Sequence, residues 1–384
     1  PCGEYAKTGE GNCPLNVCCS QFGFCGTTSE FYGTGCQDGY GSCGDVNRPK
    51  CSGTSAENGR RIGYYESWAD DSNSRLCNRR TPDEIPLVGL THLNFAFTFF
   101  GPTTFEISPM SSAAAGLYKS FTALKKKSPG PETWISLGGW TINDEGNTPN
   151  TRTAFSDMAS TSANRRKFIE HLQNFMQSYG FDGIDIDWEY PAADDRGGSS
   201  ADTDNFVRLL KEMRSSWGTS YGISVTLPSS YWYLQVMTFM VSGILKKQYT
   251  DPIIRPHTNL TEIREGLDLM WMAGFEPSKV VLGLGWYGRS FTLVNPSCSK
   301  PNGVCEFSGG GNPGSCTNSA GEIRVAKPRS AATRINSKDA SAARTSAAVR
   351  KTNLWKCWLG GGRSRLIYYH AQERKATEYA KPEV

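Results

Sequence analysis

Residues 182 to 191 read Asp-Gly-Ile-Asp-Ile-Asp-Trp-Glu-Tyr-Pro, and this run limits the available folds more sharply than any other stretch of the chain. In an extended segment successive side chains point to opposite faces, so Asp185, Asp187 and Glu189 share one face while Ile184, Ile186 and Trp188 share the other. Amphipathic helices bracket the strand. Upstream, Phe168, Leu172, Phe175, Met176 and Tyr179 recur at spacings of four and three, and Gly180 supplies a stop. Downstream, Phe206, Leu209, Leu210, Met213 and Trp217 repeat the pattern, closed by Gly218. A strand between two helices belongs to a parallel sheet covered by helices on the outside. The acidic row then faces a barrel interior or a crevice, unlike the wet side of an ordinary antiparallel strand. Carboxylates two residues apart on a strand lie roughly 6.5 Å from each other, and their repulsion favours keeping protons, which suits acid catalysis.

The same alternation extends along the chain. Strands are predicted near 61–65, 91–97, 133–137, 182–188, 222–227, 236–241 and 279–285, and helices over 111–127, 164–179, 202–217 and 260–273. Such an order defines an α/β fold, either a doubly wound sheet or a (β/α)₈ TIM barrel, and the number of strands favours the barrel. Two places break the pattern. The stretch from Pro228 to Gln235 between the fifth and sixth strands is shorter than the dozen or so residues of a parallel crossover. From Glu322 onward apolar periodicity fades into Ala, Ser, Arg and Lys, so the barrel is expected to be incomplete at strands 6 and 8.

The 384 residues have room for one large domain and a small one. No apolar run approaches the roughly 18 residues of a membrane helix. The chain starts at Pro1 without Met, which leaves open a removed secretion signal and a fragment. Of 13 cysteines, eight (Cys2, Cys13, Cys18, Cys19, Cys25, Cys36, Cys43 and Cys51) crowd the first 51 residues. That density marks an oxidising compartment, hence a secreted, extracellular protein. Zinc is the competing use, but zinc sites favour paired C-x₂₋₄-C spacing with His nearby, and the first His is His92. Residues 1–43 read as a stapled module, 44–60 as a linker, 61–321 as the large domain and 322–384 as a basic low-complexity tail. The tail holds 14 of the 41 Lys and Arg but 5 of the 37 Asp and Glu, so the rest of the chain is net acidic. A basic tail suits nucleic acid, yet residues 322–352 lack interleaved aromatics and solvated disorder is the expectation.

The pattern Asp182-x-x-Asp185-x-Asp187-x-Glu189, with Ser136-Leu137-Gly138-Gly139-Trp140 one strand earlier, resembles the signature of family 18 glycoside hydrolases, the chitinases. Arg61 to Trp68, Leu93 to Phe97, and Lys279 to Phe291 with Tyr287-Gly288-Arg289 resemble its fungal class V branch. The run Cys18 to Gly26 resembles a hevein-type chitin-binding module, so both resemblances agree on one substrate. The family resemblance implies a (β/α)₈ barrel with its site at the carboxyl ends of the strands. It also implies a monomer acting on chitin and chitooligosaccharides by substrate-assisted retaining hydrolysis, without metal or cofactor. In that scheme Glu189 protonates the glycosidic oxygen and the sugar's N-acetyl oxygen attacks the anomeric carbon. Asp187 stabilises the acetamido group and shares a proton with Asp185. Tyr64, Gly139, Trp140, Tyr190 and Arg289 would line the sugar cleft. In the module, Ser20, Phe22, Phe24 and Phe31 match sugar-contacting positions, where flat rings stack on sugar C–H groups. The implied disulfides are Cys2–Cys19, Cys13–Cys25 and Cys36–Cys43.

Three positions depart from the family. Tyr32 stands where the partner of Cys18 belongs, which leaves Cys18 free or bonded to Cys51. Met237-Thr238-Phe239-Met240 replaces the Met-Thr-Tyr-Asp of the sixth strand, and Phe cannot donate the hydroxyl hydrogen bond. The Trp of the last strand has no counterpart, since Trp355 and Trp358 sit in a different setting. Edges this sharp suggest a faulty gene model or frameshift. A chitinase and a catalytically impaired, lectin-like chitin binder therefore both stay open. Asn259-Leu260-Thr261 is an N-glycosylation acceptor.

Overall fold

The fold is taken from a computed structural model. It describes residues 1–7, 11–44, 46–49, 59–72, 75–77, 79–127, 130–229, 231, 233–234, 254, 260–283, 288–300, 304–314, 316, 318, 320–323 and 368–369. Cys51, the motif Met237–Met240, Asn259, Trp355 and Trp358 lie outside the described residues.

The amino-terminal module is too short for a hydrophobic core of its own and is held by cross-links. Cys2–Cys19, Cys13–Cys25 and Cys36–Cys43 are bonded, the pairing the hevein resemblance implied. Two short strands, β1 (Cys18–Cys19) and β2 (Cys25–Gly26), pair antiparallel, and one turn of helix, α1 (Ser29–Tyr32), follows. Cys18 is buried outside these bridges, with its sulfur 3.9 Å from the Ser42 hydroxyl.

In the large domain, runs rich in aromatic and β-branched residues form β3 (Ile62–Glu66), β4 (His92–Phe100), β6 (Glu132–Gly138), β7 (Gly183–Asp187) and β8 (Gly222–Leu227). A short β5 (Ile107–Pro109) folds back antiparallel on the end of β4. The five main strands lie side by side in chain order and all run parallel. Helices α2 (Ser112–Ala123), α3 (Ala154–Ser160), α4 (Ser162–Tyr179) and α5 (Asp202–Trp217) make the returns after β4, β6 and β7. Neighbouring parallel strands with helical returns are the arc of a (β/α)₈ barrel.

Local chemistry explains where these helices begin and end. The Thr161 hydroxyl accepts the Asn164 N–H at 3.1 Å and starts α4. Gly180, at φ 83°, ends it, and the Gly180 and Phe181 amides both return to the Met176 carbonyl, at 2.7 and 2.9 Å. The apolar face of β7 packs outward. Trp188, next along it, stacks on Phe155 of α3 at 5.1 Å and meets the edge of Phe206 of α5 at 5.4 Å.

Two expectations need correction. Of the predicted strand at 279–285, Lys279 ends a single 3₁₀ turn and Val281 forms an isolated bridge, so no ladder runs through residues 279–283; residues 284–287 lie outside the described set. Residues 322–384, expected as a basic low-complexity tail with no eighth strand, contribute two short pairings: Glu322–Ile323 with Gly288–Arg289, and Tyr368–Tyr369, parallel, with Thr226–Leu227 on the open edge of β8. A Tyr-Tyr pair has high strand preference, but two residues within an Ala, Ser, Arg and Lys background give no readable period.

Helix α6 (Leu260–Met272) carries the amino-terminal module. Leu15 and Val17 join the apolar cluster of the large domain. The Ser42 hydroxyl donates to the Met272 sulfur at 3.5 Å, and Arg48 donates twice to Asp268, at 2.7 and 2.9 Å. The consecutive residues Gly266 to Met272 are all buried, whereas an outer helix ordinarily keeps a wet face. Two further bridges, Cys77–Cys316 and Cys298–Cys305, lie outside the module.

Candidate active site

The acidic row lies on β7, with β6 on one side and β8 on the other. Register sets Asp185 level with Ser136 and with Ser224. Both serine hydroxyls donate to it, Ser136 at 2.9 Å and Ser224 at 2.6 Å, and the Tyr64 phenol adds a third bond at 2.8 Å. Burial raises the Asp185 pKa, while Ser224, Tyr64, Ser136 and Asn94 act in the opposite direction by favouring the anion. Asp187 has no such help. It is buried, and its Oδ1 has no hydrogen-bond partner among the described residues. Desolvation first, then the charges of Glu189 and Asp185, push its pKa well above the ordinary carboxylate value. Thr226, two residues beyond Ser224 on β8, presents another buried oxygen without a partner among the described residues. Glu189 is buried at the end of the row.

Glycines bring the platform close. Gly138 and Gly139 have φ of 113° and 80°, and the Gly139 amide donates to the Asp187 carbonyl at 2.8 Å. A Cβ on Gly138 would stand 2.2 Å from that carbonyl, and one on Gly139 about 3.0 Å from the Phe97 ring. Gly139, read as a cleft-lining residue, acts here through close backbone approach. Trp140 is half-buried, with Nε1 donating to Asp144 at 3.1 Å.

Tyr64 lies at the base of the row rather than beside its open end, as its bond to Asp185 requires. Tyr190 is buried with its ring 4.4 Å from that of Tyr233. Its phenol is pushed well up, by burial and then by the Glu189 charge. Arg289 is placed through its backbone, which pairs with Glu322.

Sequence reasoning missed three contributors. Arg196 is 4% exposed, lies 3.7 Å over the Trp140 ring, and donates to the carbonyls of Glu189 and Trp140. Tyr233 donates to Asp195 at 3.0 Å. Asp202 accepts from the Ser156 hydroxyl and from the Ser199 and Ala192 amides, which holds the loop after the row. The available signal was weak, namely an Asp-Asp-Arg triplet in a Gly- and Ser-rich loop.

In the module, Phe22 and Phe24 expose 67% and 64% of their surface, and Tyr5, which was not anticipated, exposes 61%. Ser20 is 4% exposed, and its hydroxyl accepts the Phe24 amide at 3.2 Å. It shapes the turn that presents the rings. Phe31 is half-buried against Gly26. The Cys2, Cys13 and Cys25 sulfurs cluster within 4.8 Å, but all three are in disulfides and offer no thiolate for a metal.

A parallel barrel arc with a buried carboxylate row, beside a disulfide-held module with exposed rings, defines a protein of the (β/α)₈ class. More specifically, the chain belongs to the glycosyl hydrolases family 18, whose profile matches residues 60–380, and residues 1–43 match the chitin recognition protein family. Among curated proteins it is similar to secreted chitinase LysM12 of Penicillium expansum, 30% identical over 82% of this chain and 23% of that protein. It is also similar to the killer toxin subunits alpha/beta of Kluyveromyces lactis, 31% identical over 84% of this chain and 29% of that protein. The chain thus spans about a quarter of the length of these relatives. Among solved structures, catalytic domain 2 of the Ostrinia furnacalis Group II chitinase aligns with a TM-score of 0.55 at 24% identity, covering 69% of this chain and 73% of that one. Human YKL-39, described as a pseudo-chitinase with retained chitooligosaccharide binding, aligns with a TM-score of 0.52 at 19% identity, over 68% and 75%. At these identities the structural likeness concerns the fold. No described helix is long and apolar enough to cross a membrane.

Proposed function

We propose that this chain is an extracellular chitinase that cleaves β-1,4 bonds between N-acetylglucosamine units with retention, anchored to chitin by residues 1–43. The observation that carries this reading is the buried Asp187 oxygen without a partner among the described residues, flanked by Asp185 and Glu189. An orphaned buried acceptor is costly unless a ligand supplies the missing donor, and the N–H of a sugar acetamide is such a donor. Three hydroxyls stabilise the Asp185 anion, so the proton of the coupled pair resides on Asp187 before substrate binds. Glu189 then protonates the glycosidic oxygen. The acetamido oxygen attacks the anomeric carbon as the bond breaks; Asp187 accepts the acetamide N–H and passes its own proton to Asp185, so that the Asp187 carboxylate balances the growing charge. Glu189, now ionised, takes a proton from the water that opens the cyclic intermediate. Trp140 supplies a flat face for the sugar ring. The secreted chitinase name of the Penicillium relative supports an extracellular site of action.

Turnover of a fluorogenic chitooligosaccharide tests the reading. Glu189→Gln is expected to lower kcat about 10²- to 10⁴-fold while oligosaccharide binding persists. Wild-type chain that binds tightly and turns nothing over favours the second reading, a lectin-like chitin binder. Met237-Thr238-Phe239-Met240 motivates that alternative, because Phe239 lacks a hydroxyl donor whose loss typically costs about 10²- to 10³-fold in rate.

A further inference from the structure

Arg196 ends the single turn Asp194–Arg196 that follows the acidic row, and its side chain is buried. Its guanidinium reaches two residues from different strands' ends. Nε donates to the Glu189 carbonyl at 3.0 Å, Nη2 donates to the Trp140 carbonyl at 2.7 Å, and Cζ lies 3.7 Å from the Trp140 ring centre. We propose that Arg196 is a positioning residue that sets the separation between the proton donor and the indole on which a sugar ring stacks, an inference that rests on the chitinase reading above.

The chemistry of the group suits the task. A guanidinium is planar and always charged, with donors in a rigid fork, so one side chain fixes two carbonyls and one ring face together. The cation occupies one face of Trp140, which reserves the opposite face for substrate. The indole is pinned from its edge as well, by the bond from Nε1 to Asp144. A general acid works within about 2.6–3.2 Å of its target, and a shift near 1 Å costs about 10²-fold in rate. Other contacts hold the loop without Arg196. Asp202 gathers Ser156, Ser199 and Ala192, Tyr233 donates to Asp195, and Arg152 donates to the Asp194 carbonyl at 3.2 Å. Removing the guanidinium therefore leaves the loop standing and releases the two groups it aligns.

The test uses the full chain and the variants Arg196→Met, Arg196→Lys, Trp140→Ala and Arg196→Met/Trp140→Ala. Chitooligosaccharide hydrolysis gives kcat and KM, and calorimetry measures oligosaccharide affinity in a Glu189→Gln background. Arg196→Met is expected to lower kcat about 10²-fold and weaken binding about tenfold, with little change in Tm. Arg196→Lys keeps the charge over the indole but lacks the fork, so it restores affinity more fully than kcat. In the Trp140→Ala background, Arg196→Met should weaken binding no further, because neighbours acting through one contact are not additive. Wild-type kcat in Arg196→Met overturns the proposal, and so does an affinity loss of equal size with and without Trp140. A wild-type chain without turnover defeats the chitinase reading alone, since the calorimetric arm still decides whether Arg196 acts through Trp140.

Discussion

Asp187 lies between two other carboxyls with one oxygen unserved, and its stability consequence has a definite sign. A folded-state pKa raised above the ordinary 3.8 means that folding favours the protonated form. That stabilisation is complete below the ordinary value and is lost as pH rises through the raised one. Asp187→Asn removes the charge, so at pH 7 to 8 its Tm should exceed that of the wild type by about 2 °C or more, with the gap closing toward pH 4 and activity lost. Thermal melts across this pH range check it; a gap independent of pH would contradict the assignment. The row itself was legible in the sequence because a period of two sorts side chains by face regardless of what surrounds them. Arg196 and Tyr233 were not, because their contacts arise when a loop closes over the barrel end, and a loop has no period. The hevein resemblance implied a sugar contact at Ser20; its side chain is buried, and its hydroxyl accepts the Phe24 amide in the turn that carries the aromatic rings.

At the scale of elements, agreement was closest where strong periodicity met a glycine stop. The predicted helix over 202–217 and strand over 222–227 match α5 and β8 residue for residue, and α4 begins two residues before its predicted start. Helix α3 was missed because its seven residues are too few to display a period, and β5 because a three-residue hairpin arm gives none. The end of α4 is a direct test of the local argument. Gly180→Ala forces a side chain into a left-handed conformation at φ 83°, with the nearest obstacle, the Thr122 hydroxyl, at 3.9 Å. The cost is thus backbone strain and not crowding, about 1 kcal/mol. Urea titration should show a lower midpoint with an unchanged slope.

For the whole molecule, Ser42 and Arg48 dock the amino-terminal module on α6 of the large domain. The module's exposed rings Tyr5, Phe22 and Phe24 are apolar contact surface, so retention on chitin beads should survive high salt, which screens charge attraction but not ring stacking. Phe22→Ala together with Phe24→Ala is expected to weaken retention about tenfold or more while leaving hydrolysis of short soluble oligosaccharides unchanged. Unchanged retention would move the chitin contact away from these rings. The two-part organisation was readable from cysteine density, whereas the docking on α6 was not, because Arg48 and Asp268 lie 220 positions apart and neither belongs to a pattern.

The Cys77–Cys316 bridge ties together two points separated by 239 residues, and nearly the whole barrel lies within that covalent ring. A protease that nicks the backbone once anywhere inside the ring therefore releases nothing. The cut molecule should migrate as a single species on a denaturing gel until reductant is added and then fall into two bands, so damage to the chain stays hidden from any assay of size performed under oxidising conditions.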